Sequence, residues 1–110
     1  MSNDFHALEA AQLVADEVNS LLRDCRISLI HRAQLRDSAQ SVPANIREGM
    51  GRDPGADRNK SYRSARGSAE EADEHLRANV VDGTISRKTY WRLHNRLAVV
   101  VKMLNGTMKT

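Results

Sequence analysis

The sequence predicts an all-α protein, an antiparallel up-down-up-down four-helix bundle built as one domain over residues 1–110. Three observations lead there. Apolar residues recur at three- and four-residue steps in four separate segments, which is the spacing of one helix face. No segment alternates with period two, and aromatic residues make up only 4% of the chain, so Leu, Val and Ala fill most apolar positions and favour helix over sheet. The connections between the four segments are short and polar, which makes antiparallel neighbours the simplest packing.

The first helix, over residues 4–25, carries Phe5, Leu8, Ala11, Ala15, Val18 and Leu22 on one face. The second carries Leu35, Ala39, Val42, Ile46 and Met50, and contains the stretch SVPANIREGMGR, residues 41–52. Pro43 removes an amide bond to the Ala39 carbonyl, at a cost of ~3 kcal/mol in a helix interior. Two arrangements are open: a helix that begins at Ser41 with Pro43 in its first turn, or one longer helix kinked at Pro43. The unbroken apolar phase from Leu35 through Ile46 favours the longer helix. Ser41 and Asn45, four apart, are then placed to bond the carbonyls that the proline frees.

Tyr62, Ala65, Ala69, Ala72, Leu76 and Val80 mark the third helix, with Asp57 as its expected N-cap. The lean seam of Ala65, Ala69 and Ala72, with Gly67 beside it, predicts close approach of helix axes and no cofactor pocket. Asp82-Gly83 supplies a turn, and Ser86 caps a fourth helix that carries Tyr90, Leu93, Leu97, Val100, Leu104 and Met108.

The net charge of +3 conceals alternating blocks. Residues 1–25 hold five acids against Arg23, and residues 70–86 hold five against Arg77. Between them, residues 26–69 hold nine bases and four acids, and from Arg87 onward there are six bases and no acid. One helix edge can therefore be strongly basic in a protein that is only mildly so. Cys25 is alone, which rules out an intramolecular disulfide and suggests a reducing, cytoplasmic setting. The N-terminus MSNDFHALEA has neither a basic n-region nor an apolar h-region, and no apolar run approaches the ~20 residues that span a membrane, so neither secretion nor membrane insertion is expected.

LRDSAQSVPANIREGMGR resembles the signature of the four-helix-bundle family encoded in intervening sequences of bacterial large-subunit ribosomal RNA genes. The likeness runs through Leu35, Ala39, Ser41, Val42, Pro43, Ala44, Asn45, Ile46, Glu48, Gly49, Gly51 and Arg52. YRSARGSAEEADEHL is similar to the family's third-helix element at Ala65, Gly67, Ser68 and Glu71, and KMLNGTMK to its ending. The chain departs from the family at Lys60, Ser61, Arg63 and Ser64, where members often carry bulky apolar residues. The resemblance implies an antiparallel bundle that assembles as a homopentamer. It also implies likeness in fold to the accessory protein of diversity-generating retroelements, a basic pentamer that binds a reverse transcriptase and nucleic acid.

The motifs of catalysis are missing from the sequence. There is no HExxH or CxxC, and no pair of glutamate-x-x-histidine motifs, so His6, His31, His75 and His94 are expected as ordinary surface or edge residues and no metal or cofactor is expected. Gly49-x-Gly51 lacks the third glycine and the preceding strand of a dinucleotide site, and reads as a helix end. No nucleophile–base spacing is legible, so a non-enzyme is expected.

Helix four is the informative element. Arg87, Lys88, Arg92, Arg96, Lys102 and Lys109 lie opposite its core stripe, and Trp91, His94, Ala98 and Val101 form a second stripe between the two. A second stripe suggests contact with another chain. The cations, with Arg47, Arg52, Arg58, Lys60 and Arg63 around the second loop, suggest RNA or DNA as partner. The other expectation is an adaptor for a protein such as a reverse transcriptase. Pro43, Asn45, Glu48, Gly49, Gly67, Ser68 and Glu71 are expected to be structural, with Asn45 and Ser68 bonding helix two to helix three.

Overall fold

Leu, Val and Ala at helical spacing do produce four helices. The computed structural model describes residues 3–24 and 29–108. In chain order the helices are α1 (Asn3–Asp24), α2 (Leu29–Met50), α3 (Ala56–Val81) and α4 (Arg87–Met108). Each helix packs on two neighbours, α1 and α3 both lying between α2 and α4. Helices of 22–26 residues rise ~33–39 Å, which accounts for a body 42 Å long and 22 by 18 Å across. Every helix contributes to the core. Leu35, Ile46, Tyr62, Leu76, Leu93 and Leu104 have no exposed surface, and the alanines of α1 and α3 let the helices close around them. Cys25 and Lys109 lie outside the described residues.

The ends of the helices follow local chemistry. Ser86 caps α4, its Oγ accepting the Thr89 amide at 3.1 Å. After α3, Gly83 adopts φ 76° and its amide bonds the Val80 carbonyl at 3.0 Å, while the Thr84 amide reaches the Asn79 carbonyl at 2.8 Å. These two bonds make a Schellman turn at the expected Asp82-Gly83 position. The start of α3 differs from expectation. Gly55, at φ 133°, occupies the N-cap and no side chain caps the helix, so Asp57 is the second residue of the first turn, where its charge still suits the helix dipole.

α2 runs unbroken through Pro43, which is buried. The Asn45 amide does bond a carbonyl, but it is that of Ser41, at 2.9 Å, and not the Ala39 carbonyl that the proline frees. Two other expectations need correction. Phe5 is 43% exposed, and the buried positions at that end of α1 are Asp4 and Ala7. Gly67 is exposed, with nothing within 4 Å of where a Cβ would sit, so it plays no part in close packing. The close approach between α2 and α3 is made at Gly49, whose absent Cβ would lie 2.4 Å from the Tyr62 ring.

Candidate functional site

Of the ten cations singled out by charge, five are held by partners within the chain. Arg92 and Arg96, one turn apart on α4, both grip Glu17 of α1, with Arg92 Nε 2.7 Å and Arg96 Nη1 2.6 Å from its carboxylate oxygens. Arg47 donates to Gln12 at 3.1 Å, and Arg52 to Glu48 at 2.8 Å. Arg58 is half-buried, and its guanidinium bonds the carbonyls of Gly49, Met50 and Arg52. It therefore satisfies the open carbonyls at the end of α2 from a position on α3. Arg87, Lys88, Lys102, Lys60 and Arg63 are exposed and have no ion-pair partner among the described residues. At 1.5 Å per residue, Lys88 and Lys102 stand ~21 Å apart along α4.

The second stripe of α4 flanks a groove between α3 and α4 of about 820 Å³. His94, Leu97, Ala98 and Val101 line it from α4, and Ala69, Glu70, Asp73 and Glu74 from α3. The alanine seam that lets α3 pack closely on the core leaves an open channel on this flank. His94 Nδ1 lies 2.7 Å from Asp73, whose second oxygen accepts the Tyr90 hydroxyl at 3.2 Å and Arg77 at 3.3 Å. An imidazole nitrogen that close to a carboxylate carries its proton, so Asp73 fixes the ring's tautomer and orientation. Trp91 is 51% exposed, with its ring 5.2 Å from those of Tyr90 and His94. The Asp73 cluster joins α3 to α4 at a sequence separation of 21, a distance over which no local pattern could have found it.

The histidines bring no ligand set together. Among the described residues no group of three His, Cys, Asp or Glu could hold a metal. His31 and His75 face each other with ring centroids 6.3 Å apart, and His75 Nε2 lies 3.8 Å from Glu71. No helix among the described residues is long and apolar enough to cross a membrane.

The signature residues of α2 and α3 meet across one seam. Asn45 Nδ2 donates to the Ser41 carbonyl and to Ser41 Oγ, each at 2.9 Å, and Ser68 Oγ of α3 donates to Ser41 Oγ at 3.0 Å. Ser41 is thus the link between the helices, and Asn45 orients it. Glu48 and Glu71 are exposed; Glu48 pairs with Arg52 just past the end of α2, and Glu71 lies beside His75 of its own helix. One turn beyond Asn45, Gly49 makes room for Tyr62, whose hydroxyl donates to the buried carboxylate of Asp4 on α1. Thr107 of α4 bonds the other carboxylate oxygen at 3.1 Å, and Arg58 stands 3.9 Å away. Burial first, and then the bond to Asp4, push the Tyr62 hydroxyl well above the usual phenol range. This knot draws on all four helices. The sequence reading missed Asp4, although its spacing to Ala7 and Ala11 continues the buried face.

A model of the 23S rRNA-intervening sequence protein family matches residues 4–106. The chain belongs to that family. Its fold is also that of a crystal structure of a protein of unknown function from the S23 ribosomal protein family of Bacteroides thetaiotaomicron. That protein is 22% identical, with a TM-score of 0.89 over 98% of this chain and 99% of the other. No curated protein matches. The family signature thus has a physical reading here. Proline and asparagine sit in a continuous α2, serine bridges to α3, and glycine admits the Tyr62 ring.

The serine bridge can be tested directly. Ser41→Ala and Ser68→Ala should each cost about 1 kcal/mol, and the double variant should cost less than their sum by roughly 0.5–1 kcal/mol. Urea unfolding of the four proteins gives the coupling. Additive losses would show that the hydroxyls do not interact.

Proposed function

We propose that this protein is a non-enzymatic, self-associating bundle of the cytoplasm that binds nucleic acid through the unpaired cations of α4 and the start of α3. The observation that carries the reading is that Arg87, Lys88, Lys102, Lys60 and Arg63 are exposed without ion-pair partners among the described residues, so their charge is free for phosphate. Arg92 and Arg96 take the lesser part, because Glu17 already neutralises one of them. Self-association, as a pentamer in the family-like reading, draws on the stripe of Trp91, His94, Ala98 and Val101. It would repeat a weak patch in every subunit, so that one strand meets several patches at once. Phosphate contacts carry no base information, so little sequence preference is expected.

The second reading is an adaptor for a protein partner such as a reverse transcriptase. It is favoured by the five cations already spent inside the chain, which leave a modest surface for bare nucleic acid. Titrating labelled single-stranded RNA and DNA across salt concentrations separates the two. The first reading expects log K to fall with log salt by ~0.7 per phosphate contacted. It also expects Lys88→Glu with Lys102→Glu to lower affinity at least tenfold and flatten that slope, while Arg92→Gln with Arg96→Gln changes binding less. If wild-type protein does not retain either nucleic acid at low salt, the adaptor reading stands alone.

A further inference from the structure

We propose that Trp91 is a fixed stacking platform for an unpaired base, so that the cationic face of α4 takes single-stranded nucleic acid and not duplex. The inference rests on the nucleic-acid reading above, names the ligand class of that surface, and gives Trp91 a role apart from the rest of its stripe.

Trp91 differs from the residues it lines up with. His94, Ala98 and Val101 line the groove between α3 and α4, and Trp91 does not. Its indole is 51% exposed and yet braced. The rings of Tyr90 and His94 meet it edge to face, at interplanar angles of 68° and 82° and centroid distances of 5.2 Å. One carboxylate on α3 anchors both braces, since the Tyr90 hydroxyl donates to one oxygen of Asp73 and His94 Nδ1 to the other. An exposed aromatic held in this way is oriented before a ligand arrives, so binding costs little further ordering.

The surroundings of Trp91 select the ligand. At 100° per residue, Arg87, Lys88, Asn95 and Lys102 all fall within about 60° of it on the solvent side of α4. Lys88 stands ~4.5 Å from it along the axis on one side, and Lys102 ~16.5 Å on the other. α4 itself carries no acid. On the flanking helices, Glu17 is taken by Arg92 and Arg96, and Asp73 by His94, Tyr90 and Arg77. Asp16 and Asp24 of α1, and Glu70, Glu74 and Asp82 on the α3 side, border the row without entering it. The row therefore runs cation, aromatic, amide, cation. The centre of a protein–protein contact is depleted of charge, whereas a nucleotide strand alternates charged phosphates with flat, uncharged bases. In a duplex the base faces are already stacked on one another, so a surface indole can stack only where a base is unpaired.

Trp91 is the single tryptophan of the chain, so its fluorescence reports on this position alone. The full chain is titrated at low salt with a short oligoadenylate, with the same strand paired to its complement, and with a sugar-phosphate strand of equal length that lacks bases. The single strand should quench the emission, as RNA or as DNA, because the ring does not read the sugar. The duplex and the baseless strand should bind through phosphate and leave the emission unchanged. Trp91→Leu keeps an apolar side chain without a π face, and at an exposed position it should leave helicity and sedimentation mass as in the wild type. Followed by anisotropy of labelled strands, it should lose roughly fivefold to a hundredfold in affinity for the single strand and almost nothing for the duplex. Trp91→Phe should lose less, and neither variant should change the salt slope, because no phosphate contact is removed. Unchanged preference for single strand over duplex in Trp91→Leu, or equal quenching by the baseless strand, would overturn the stacking role and leave the nucleic-acid reading standing. A Trp91→Leu protein of lower mass would make Trp91 a subunit contact and overturn it too. Failure of the wild type to bind any of the three strands would overturn the nucleic-acid reading beneath the proposal.

Discussion

Gly49→Ala should destabilise the bundle by about 2–3 kcal/mol, even though alanine is the better helix former. At an ordinary helix position the exchange gains roughly 0.5–1 kcal/mol, because glycine loses more backbone freedom on folding. At Gly49 a Cβ would stand 2.4 Å from Tyr62 Cε1 and 2.7 Å from its Cδ1, closer than real contacts allow. The ring cannot swing away cheaply. It is fully buried, and its hydroxyl is held by Asp4 on α1. Relief would have to come from parting α2 and α3. Gly67→Ala is the control within the same seam region, since nothing lies within 4 Å of the added methyl. It should stabilise the protein by about 0.5–1 kcal/mol. Thermal midpoints should then move in opposite directions, down by roughly 10–20 °C for Gly49→Ala and up by a few degrees for Gly67→Ala. Shifts of the same sign would mean that Tyr62 does not press on α2 as described.

Asp4→Ala should cost about 3 kcal/mol, more than any surface charge in the chain. Asp4 is 5% exposed and accepts from Tyr62 and Thr107, with Arg58 close by, so its removal strands the fully buried Tyr62 hydroxyl of another helix in the core. Tyr62→Phe removes one donor and keeps the packing, and should cost about 1.5–3 kcal/mol as the loss of a bond to a charged group. The pH dependence separates this bond from packing. The folded state holds the Tyr62 hydroxyl above its ordinary value near 10, so the unfolded chain gives up that proton first. The contribution is therefore fully present below about pH 10 and is lost as pH rises beyond it. Urea midpoints of the wild type should decline from pH 9 to 11, and those of Tyr62→Phe should decline less. Equal slopes in the two proteins would remove Tyr62 from the account of alkaline stability.

Period and punctuation made the fold legible. Leu35 through Ile46 kept one apolar phase across Pro43, and the helix is continuous there because the core face outweighs a single lost amide bond. Ser86 and Asp82-Gly83 were readable for the same reason, since a cap or a turn is settled within five residues. Where the reading went astray, the deciding neighbour lay on another helix. Asp57 is an acceptable cap residue, but the loop places Gly55 at the start of α3 instead. Gly67 and Gly49 look alike as letters in helical segments, yet one faces solvent and the other faces Tyr62.

The candidate surfaces divide in the same way. By itself the sequence determined the helices, the face each one buries and the arc of α4 on which its cations lie, because these depend on spacing along one chain segment. Only the tertiary structure decided which cations remain free. Arg92 and Arg96 lie 75 and 79 residues from Glu17, Arg58 reaches back to the end of α2, and Asp73 orients His94 across 21. Charge acts through space at a few ångströms, and packing alone sets which side chains come that near.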